Sequence, residues 1–168
     1  VAEDVAKTGA KVSATVGEKI AESAAKSIGT VAVKSVTTGI EAAEGAARIA
    51  SMAEMLALGP GAVIACDSNQ THNLQDATVF VRAIEPLRLD WFEEPIRVDA
   101  PAEQWEALAR ASTTPLAGGE NLQAALFDAA IAGKVLQVIQ PDVTKWGGIS
   151  GNWEIARSTV AAGKRYCP

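Results

Sequence analysis

The stretch "DWFEEPIRVD", Asp90–Asp99, sets Trp91 and Phe92 directly against the carboxylates of Glu93 and Glu94, then stops the run at Pro95. A carboxylate carried to a strand end and partly buried there is costly unless something pairs with it. The stretch therefore asks for a cation. It also asks where that cation's other ligands lie, and the neighbouring strand ends are the place to look.

Working outward, the same order recurs: a short β-branched or apolar run ends in a polar residue, and an amphipathic stretch of helical length follows. "TVAVKSV" from Thr30 precedes "IEAAEGAARIASMAEMLAL", which Gly59, Pro60 and Gly61 stop. "AVIACD" ends at Asp67 before "LQDATVFVRAIEP", and "LRLDWFE" ends at Glu93 before "APAEQWEALARAS", with Pro101 near the first turn. "TPLAGGE" ends at Glu120 before "LQAALFDAAIAG", "VLQVIQPD" ends at Asp142 before "ISGNWEIARSTVAAG", and "KRYCP" opens another run. Strands alternating with helices in this way predict parallel βαβ units with right-handed crossovers.

Two architectures fit such units. A doubly wound sheet gathers its ligands at one switch point and usually carries a glycine-rich phosphate loop, which neither "GPGA" nor "GGISG" matches. A barrel keeps its chemistry at the C-terminal ends of all its strands, which is where these runs place a carboxylate or a lysine. The expected fold is therefore α/β, a partial (β/α)8 TIM-type barrel of about five to six βα units with no capping domain visible. Residues 29–168 form the barrel portion. Residues 1–28 read as an Ala-rich helical segment, in which Val12, Val16, Ile20, Ala24 and Ile28 draw an apolar stripe at a four-residue step.

The chain has 168 residues, a formal net charge of −5 and 48% hydrophobic residues. No basic face is implied, which argues against nucleic acid as a partner. No apolar run approaches the roughly 20 residues of a membrane span, and the N-terminus lacks the order of a secretory signal. Cys66 and Cys167 are too few and too far apart for a disulfide framework or a zinc site, so a cytoplasmic location is the default expectation.

The acidic strand ends Asp67, Glu93 and Glu120 are separated by 26 and 27 residues, about one βα unit each. Three adjacent strands would then present one carboxylate each at a common rim. Three hard oxygen ligands with open positions suit Mg²⁺, and no cluster of His or Cys competes for a softer metal. Glu94 faces the other way from Glu93, because successive strand residues alternate, and is expected to be a structural neighbour. His72 is expected in an exposed loop, with a substrate contact as the alternative.

Taken as an ordered set, "ACDSNQ", "DWFEEPI", "PLAGGENL" and "IQPDVTKWGGIS" resemble the barrel domain of the enolase superfamily, in its mandelate racemase and muconate lactonizing enzyme branch, over about Gly29 to Pro168. The resemblance implies Mg²⁺ held by Asp67, Glu93 and Glu120, and removal of the proton next to a substrate carboxylate to give an enediolate. Such sites pair a Lys or His base with Mg²⁺. The muconate lactonizing enzymes place a lysine where this chain has Asp142. An aspartate there is similar to the mandelate racemase subgroup, where it orients a histidine of the next strand, expected about 27 residues on and one place beyond Pro168. Lys145 would be a structural neighbour.

"GTVAVKSV" resembles the segment that carries a Lys-x-Lys pair in the family; Lys34 fits the first lysine, and Val36 stands at the second. The resemblance makes Lys34 a candidate catalytic or substrate-binding group and Asn69 a substrate contact. It implies a small hydroxy-acid or sugar-acid substrate and a homo-oligomeric assembly. Dehydration of a sugar acid is preferred to racemization, since a two-sided racemase needs a base on each face and Val36 argues against one. The alternatives are a mandelate racemase-like racemase or epimerase, a truncated non-catalytic metal-binding relative, and an unrelated α/β enzyme whose acids are only helix caps. Gly118, Gly119, Gly147 and Gly148 are expected to serve tight turns.

Overall fold

The computed structural model of the chain describes residue 51 and residues 63–168, which divide into two compact units. One unit comprises Ala65–Thr78 and Trp91–Pro168 and holds the sheet. The other includes, among the described residues, Ser51, Val63, Ile64 and Val79–Asp90. "TVAVKSV", the helix expected after it and the stripe of residues 1–28 lie outside the described residues.

Five short strands build the sheet: β1 Cys66–Asp67, β2 Phe92–Glu93, β3 Leu116–Gly118, β4 Val138–Ile139 and β5 Arg165–Tyr166. They pair in parallel and lie side by side in chain order. A doubly wound sheet reverses that order at its switch point. The uninterrupted order is that of a TIM-barrel-type fragment, as the repeating runs predict.

Helices α1 Leu74–Ile84, α2 Ala102–Ala111, α3 Phe127–Ala132 and α4 Gly148–Ala161 fill the connections. Asn73 caps α1 by accepting the Asp76 N–H at 2.9 Å and donating to the Asp76 carboxylate at 2.6 Å. Pro101 stands at the N-cap of α2, where its missing N–H costs nothing. In the sheet unit Phe92, Leu116, Ile139, Leu108 and Phe127 are fully buried, and α4 packs on both β5 and α3. In the other unit Val81, Ile84, Leu87 and Leu89 are buried. Arg88 there takes a left-handed φ of 53° to close the 3-10 turn Glu85–Leu87. Among the described residues no helix is long and apolar enough to cross a membrane.

The regular strands are shorter than the runs that predict them. β3 ends at Gly118 and β4 at Ile139, not at Glu120 and Asp142. Gly119 turns out of the ladder at φ +146°, and a Cβ there would lie 2.8 Å from the Gln140 backbone, so only glycine fits. Pro141 has no N–H to continue β4. Gly147 caps α4 at φ +71°, whereas Gly118 keeps an ordinary strand conformation inside β3, contrary to the turn expected there.

Lys164 ties the start of β5 to the end of α3. Its ammonium donates to the carbonyls of Ala130, Gly133 and Leu136 at 2.8, 2.6 and 2.7 Å, meeting orphan acceptors at the negative end of the helix dipole. Burial pushes its pKa below the usual lysine value. Lys164→Met should cost about 2 kcal/mol, since it strands these carbonyls. The shift of the urea midpoint measures it, and an unchanged midpoint would remove the staple from the account.

Candidate active site at the strand ends

Parallel pairing sets Asp67 directly beside Glu93 at the C-terminal ends of β1 and β2. The partner of Glu93 on β3 is Ala117, so Glu120 lies three residues further along than strict register would place it. Glu120 and Asp142 follow the ends of β3 and β4 at the same edge of the sheet. The three acids are thus brought to one edge, though not into one rank.

Each carboxylate has its own protein partners. Asp67 accepts the Asn69 backbone N–H at 2.7 Å and the Asn69 amide at 2.9 Å, closing a turn in which Asn69 takes φ +46°. Glu93 accepts the amide of Gln140 at 2.7 Å and the indole N–H of Trp91 at 3.3 Å. Glu120 pairs with the Lys145 ammonium at 2.5 Å, and Asn121 Oδ1 accepts from the same ammonium at 3.2 Å. Asp142 accepts both the backbone N–H and the hydroxyl of Thr144 at 2.7 Å. Glu94, as expected of a structural neighbour, is buried, with its carboxylate on Asn121.

The charges follow this geometry. Burial pushes the Glu93 pKa up, and the hydrogen bonds from Gln140 and Trp91 only partly offset it, while Asp67 and Glu94 raise it further. Burial, together with Asp67 and Glu93, pushes the Cys66 thiol up to about 12. The Thr144 hydroxyl and N–H hold Asp142 below the usual carboxylate range. A buried carboxylate whose pKa is raised by desolvation and by neighbouring acids is one that a cation would relieve.

The donor set suits a hard divalent ion, being carboxylate oxygens with no competing soft ligands. Among the described residues, however, no group of three or more His, Cys, Asp or Glu side chains is close enough together to hold a metal ion. Asp67 is folded onto Asn69, and Glu120 is held by Lys145. Asp67 and Glu93 are the pair that the backbone places side by side.

His72 is half-buried and not the exposed loop residue expected. It bridges Ile96 in parallel, its N–H donates to the Pro95 carbonyl at 3.3 Å, and its ring centroid lies 6.2 Å from that of Phe92. Lys34 and Val36 lie outside the described residues. Sequence reasoning missed Gln140 and Asn121. Period-two alternation from Val138 puts Gln140 on the face that carries Glu93, so that signal was present. Trp91 shares that face and stacks under Arg165, whose guanidinium carbon is 5.4 Å from the ring centroid.

Residues 18–168 match the family model for the enolase C-terminal domain-like family. The chain belongs to the enolase superfamily. Within it the structure is similar to a mandelate racemase/muconate lactonizing enzyme from Bordetella bronchiseptica, with 44% identity and a TM-score of 0.70 over 74% of this chain and 35% of that one. It is also similar to an L-talarate dehydratase from a Polaromonas species complexed with Mg and L-glucarate, with 33% identity and a TM-score of 0.64 over 73% of this chain and 34% of that one. In sequence it is 32% identical to the D-galactarolactone cycloisomerase of Agrobacterium fabrum over 67% of this chain and 30% of that one. The chain spans about a third of the length of these relatives.

In this enolase-superfamily chain the Lys145–Glu120 pair is a local contact on a part-exposed rim, with 43% and 38% of the side chains exposed. The hydrogen bond to Glu120 raises the Lys145 pKa. Solvent screening keeps such pairs weak, so Lys145→Met should leave the urea unfolding midpoint essentially unchanged. A clear fall in the midpoint would mean that the ammonium organises the strand ends beyond Glu120.

Proposed function

We propose that the protein acts as a Mg²⁺-dependent sugar-acid dehydratase of the mandelate racemase type. The observation that carries the reading is the register of β1 on β2, which sets Asp67 against Glu93 at the edge where Glu120 and Asp142 follow β3 and β4. The named activities of the relatives, two acting on sugar-acid compounds, support the substrate class.

Asp67, Glu93 and Glu120 would hold Mg²⁺, with Glu120 released from Lys145 and Asp67 from Asn69. When bound, the ion supplies a Lewis acid that stabilises charge developing on the substrate carboxylate. The chain's own part is to aim these carboxylates. Gln140 and Trp91 do so for Glu93 by donating to its Oε2.

The proton next to the carboxylate needs a separate base. Ile139 pairs with Tyr166, an offset of 27 residues, and the Tyr166 side of that ladder continues with the Cys167 N–H donating to the Ile139 carbonyl at 3.1 Å. By the same offset, a residue one place beyond Pro168 would stand near Asp142. A histidine there would donate one ring N–H to the Asp142 carboxylate, which fixes its tautomer and leaves the other nitrogen to take the proton. The C2–H electron pair would then expel the C3 hydroxyl, which takes the proton held by that histidine and leaves as water, and the resulting enol would tautomerise to a 2-oxo-3-deoxy acid. Lys34 and Asn69 would contact the substrate.

The test is a screen of hexaric and hexonic acids with Mg²⁺, scored for 2-oxo acid. Turnover should vanish with EDTA and return with Mg²⁺. Glu93→Gln should abolish it, and Asp142→Asn should lower kcat by roughly 10²–10⁴-fold, the range for a general base deprived of its orienting group. Isomerised product without any 2-oxo acid would instead favour the racemase or cycloisomerase reading.

A further inference from the structure

The metal reading gives Glu93 a role and leaves its neighbour unexplained. Glu94 is 3% exposed, and it sits at φ +36°, a left-handed conformation that a non-glycine residue adopts only when its surroundings hold it. The surroundings do hold it. Its N–H donates to the Ala117 carbonyl at 3.1 Å, and its own carbonyl accepts the Gln70 N–H at 2.8 Å and the Ser68 hydroxyl at 3.1 Å. The backbone of this one residue therefore pins the ends of β1, β2 and β3 together.

Its side chain does the rest. Glu94 Oε1 accepts the Asn121 backbone N–H at 3.3 Å, and Oε2 accepts the Asn121 amide at 2.7 Å. Asn121 Oδ1 in turn accepts from Lys145. Asn121 follows Glu120 as Glu94 follows Glu93. The contact thus joins the two residues that stand one place past the two expected ligands, across the same 27-residue step. A carboxylate suits this place because it is acceptor-only, with two oxygens that can take two donors, and because a desolvated charge is tolerable only when its oxygens are met.

We infer that Glu94 and Asn121 are positioning residues, a clamp that fixes the backbone just after Glu93 and Glu120 and thereby sets the spacing of those two carboxylates for a divalent cation. The inference rests on the metal reading above. It answers why two glutamates stand in succession: the first is offered to the cation, and the second locks the next strand's ligand in place.

Mg²⁺ alone is the probe, titrated by calorimetry into the wild-type protein, Glu94→Gln, Asn121→Ala and the double variant E94Q/N121D, with circular dichroism reporting the fold. Each single variant should bind Mg²⁺ roughly 10–100-fold more weakly, the usual effect of losing a group that orients a metal ligand. In the double variant the amide and the carboxylate trade strands with net charge unchanged, and most of the affinity should return. Rescue of Mg²⁺ affinity with an unchanged circular dichroism spectrum ties the effect to the pairing and not to loss of fold. Should Glu94→Gln fail to fold, Asn121→Ala at its half-buried position decides the matter. Wild-type binding matched by Asn121→Ala would overturn the clamp alone. A wild-type protein that takes up no Mg²⁺ would overturn the metal reading and the clamp with it.

Discussion

Asp67 lies beside Glu93 because β1 and β2 pair in parallel with Cys66 opposite Phe92, and the rest of the strand-end site depends on that ladder. In a parallel pair, facing residues project to the same side, so one register decides the direction of every side chain on both strands. A slip of one residue would turn Glu93 toward the helices and bring Phe92 out of the core. The full burial of Phe92, Leu116 and Ile139 is what prevents the slip, so the hydrophobic side of the sheet holds the polar side in place.

Placing acids next to one another raises an electrostatic cost that the chain meets locally. Glu93 is raised in pKa by burial and by its acidic neighbours, and it keeps the Gln140 amide and the Trp91 indole as donors. Asp67 uses a turn built on Asn69, and Glu120 uses the Lys145 ammonium. These partners are short-range and, for Asp67 and Glu120, exposed. Releasing them costs little, which is the property wanted of carboxylates that are to receive a cation.

Much of this was readable from residue order. Runs ending at Asp67 and Glu93, each followed by a helical stretch, announce parallel strands with acids at one edge, and β1–β5 follow in that order. The near-equal spacing of 26 and 27 residues misled in one respect, because it implied three acids in register. β2 pairs with β3 so that Glu93 faces Ala117, and Glu120 therefore stands three residues past the partner of Glu93. A count along the chain cannot see where the pairing register falls. His72 misled in the same way: its loop position hid a bridge to Ile96 that only the folded backbone forms.

Among the described residues, the sequence by itself determined the alternation of strands and helices, their parallel order, the family, and the acids at or just past the ends of β1 to β4, since periodicity and strand-end chemistry are local properties. Only the tertiary structure decided which groups meet: Gln140 on Glu93 across 47 residues, Asn121 on Glu94 across 27, and Lys145 on Glu120 across 25. Contacts at such separations depend on register, on backbone turns and on which side chain reaches a donor first. None of these is written in the spacing of residues along one strand. They are settled when the strands lie about 4.8 Å apart and their side chains compete for the same few donors.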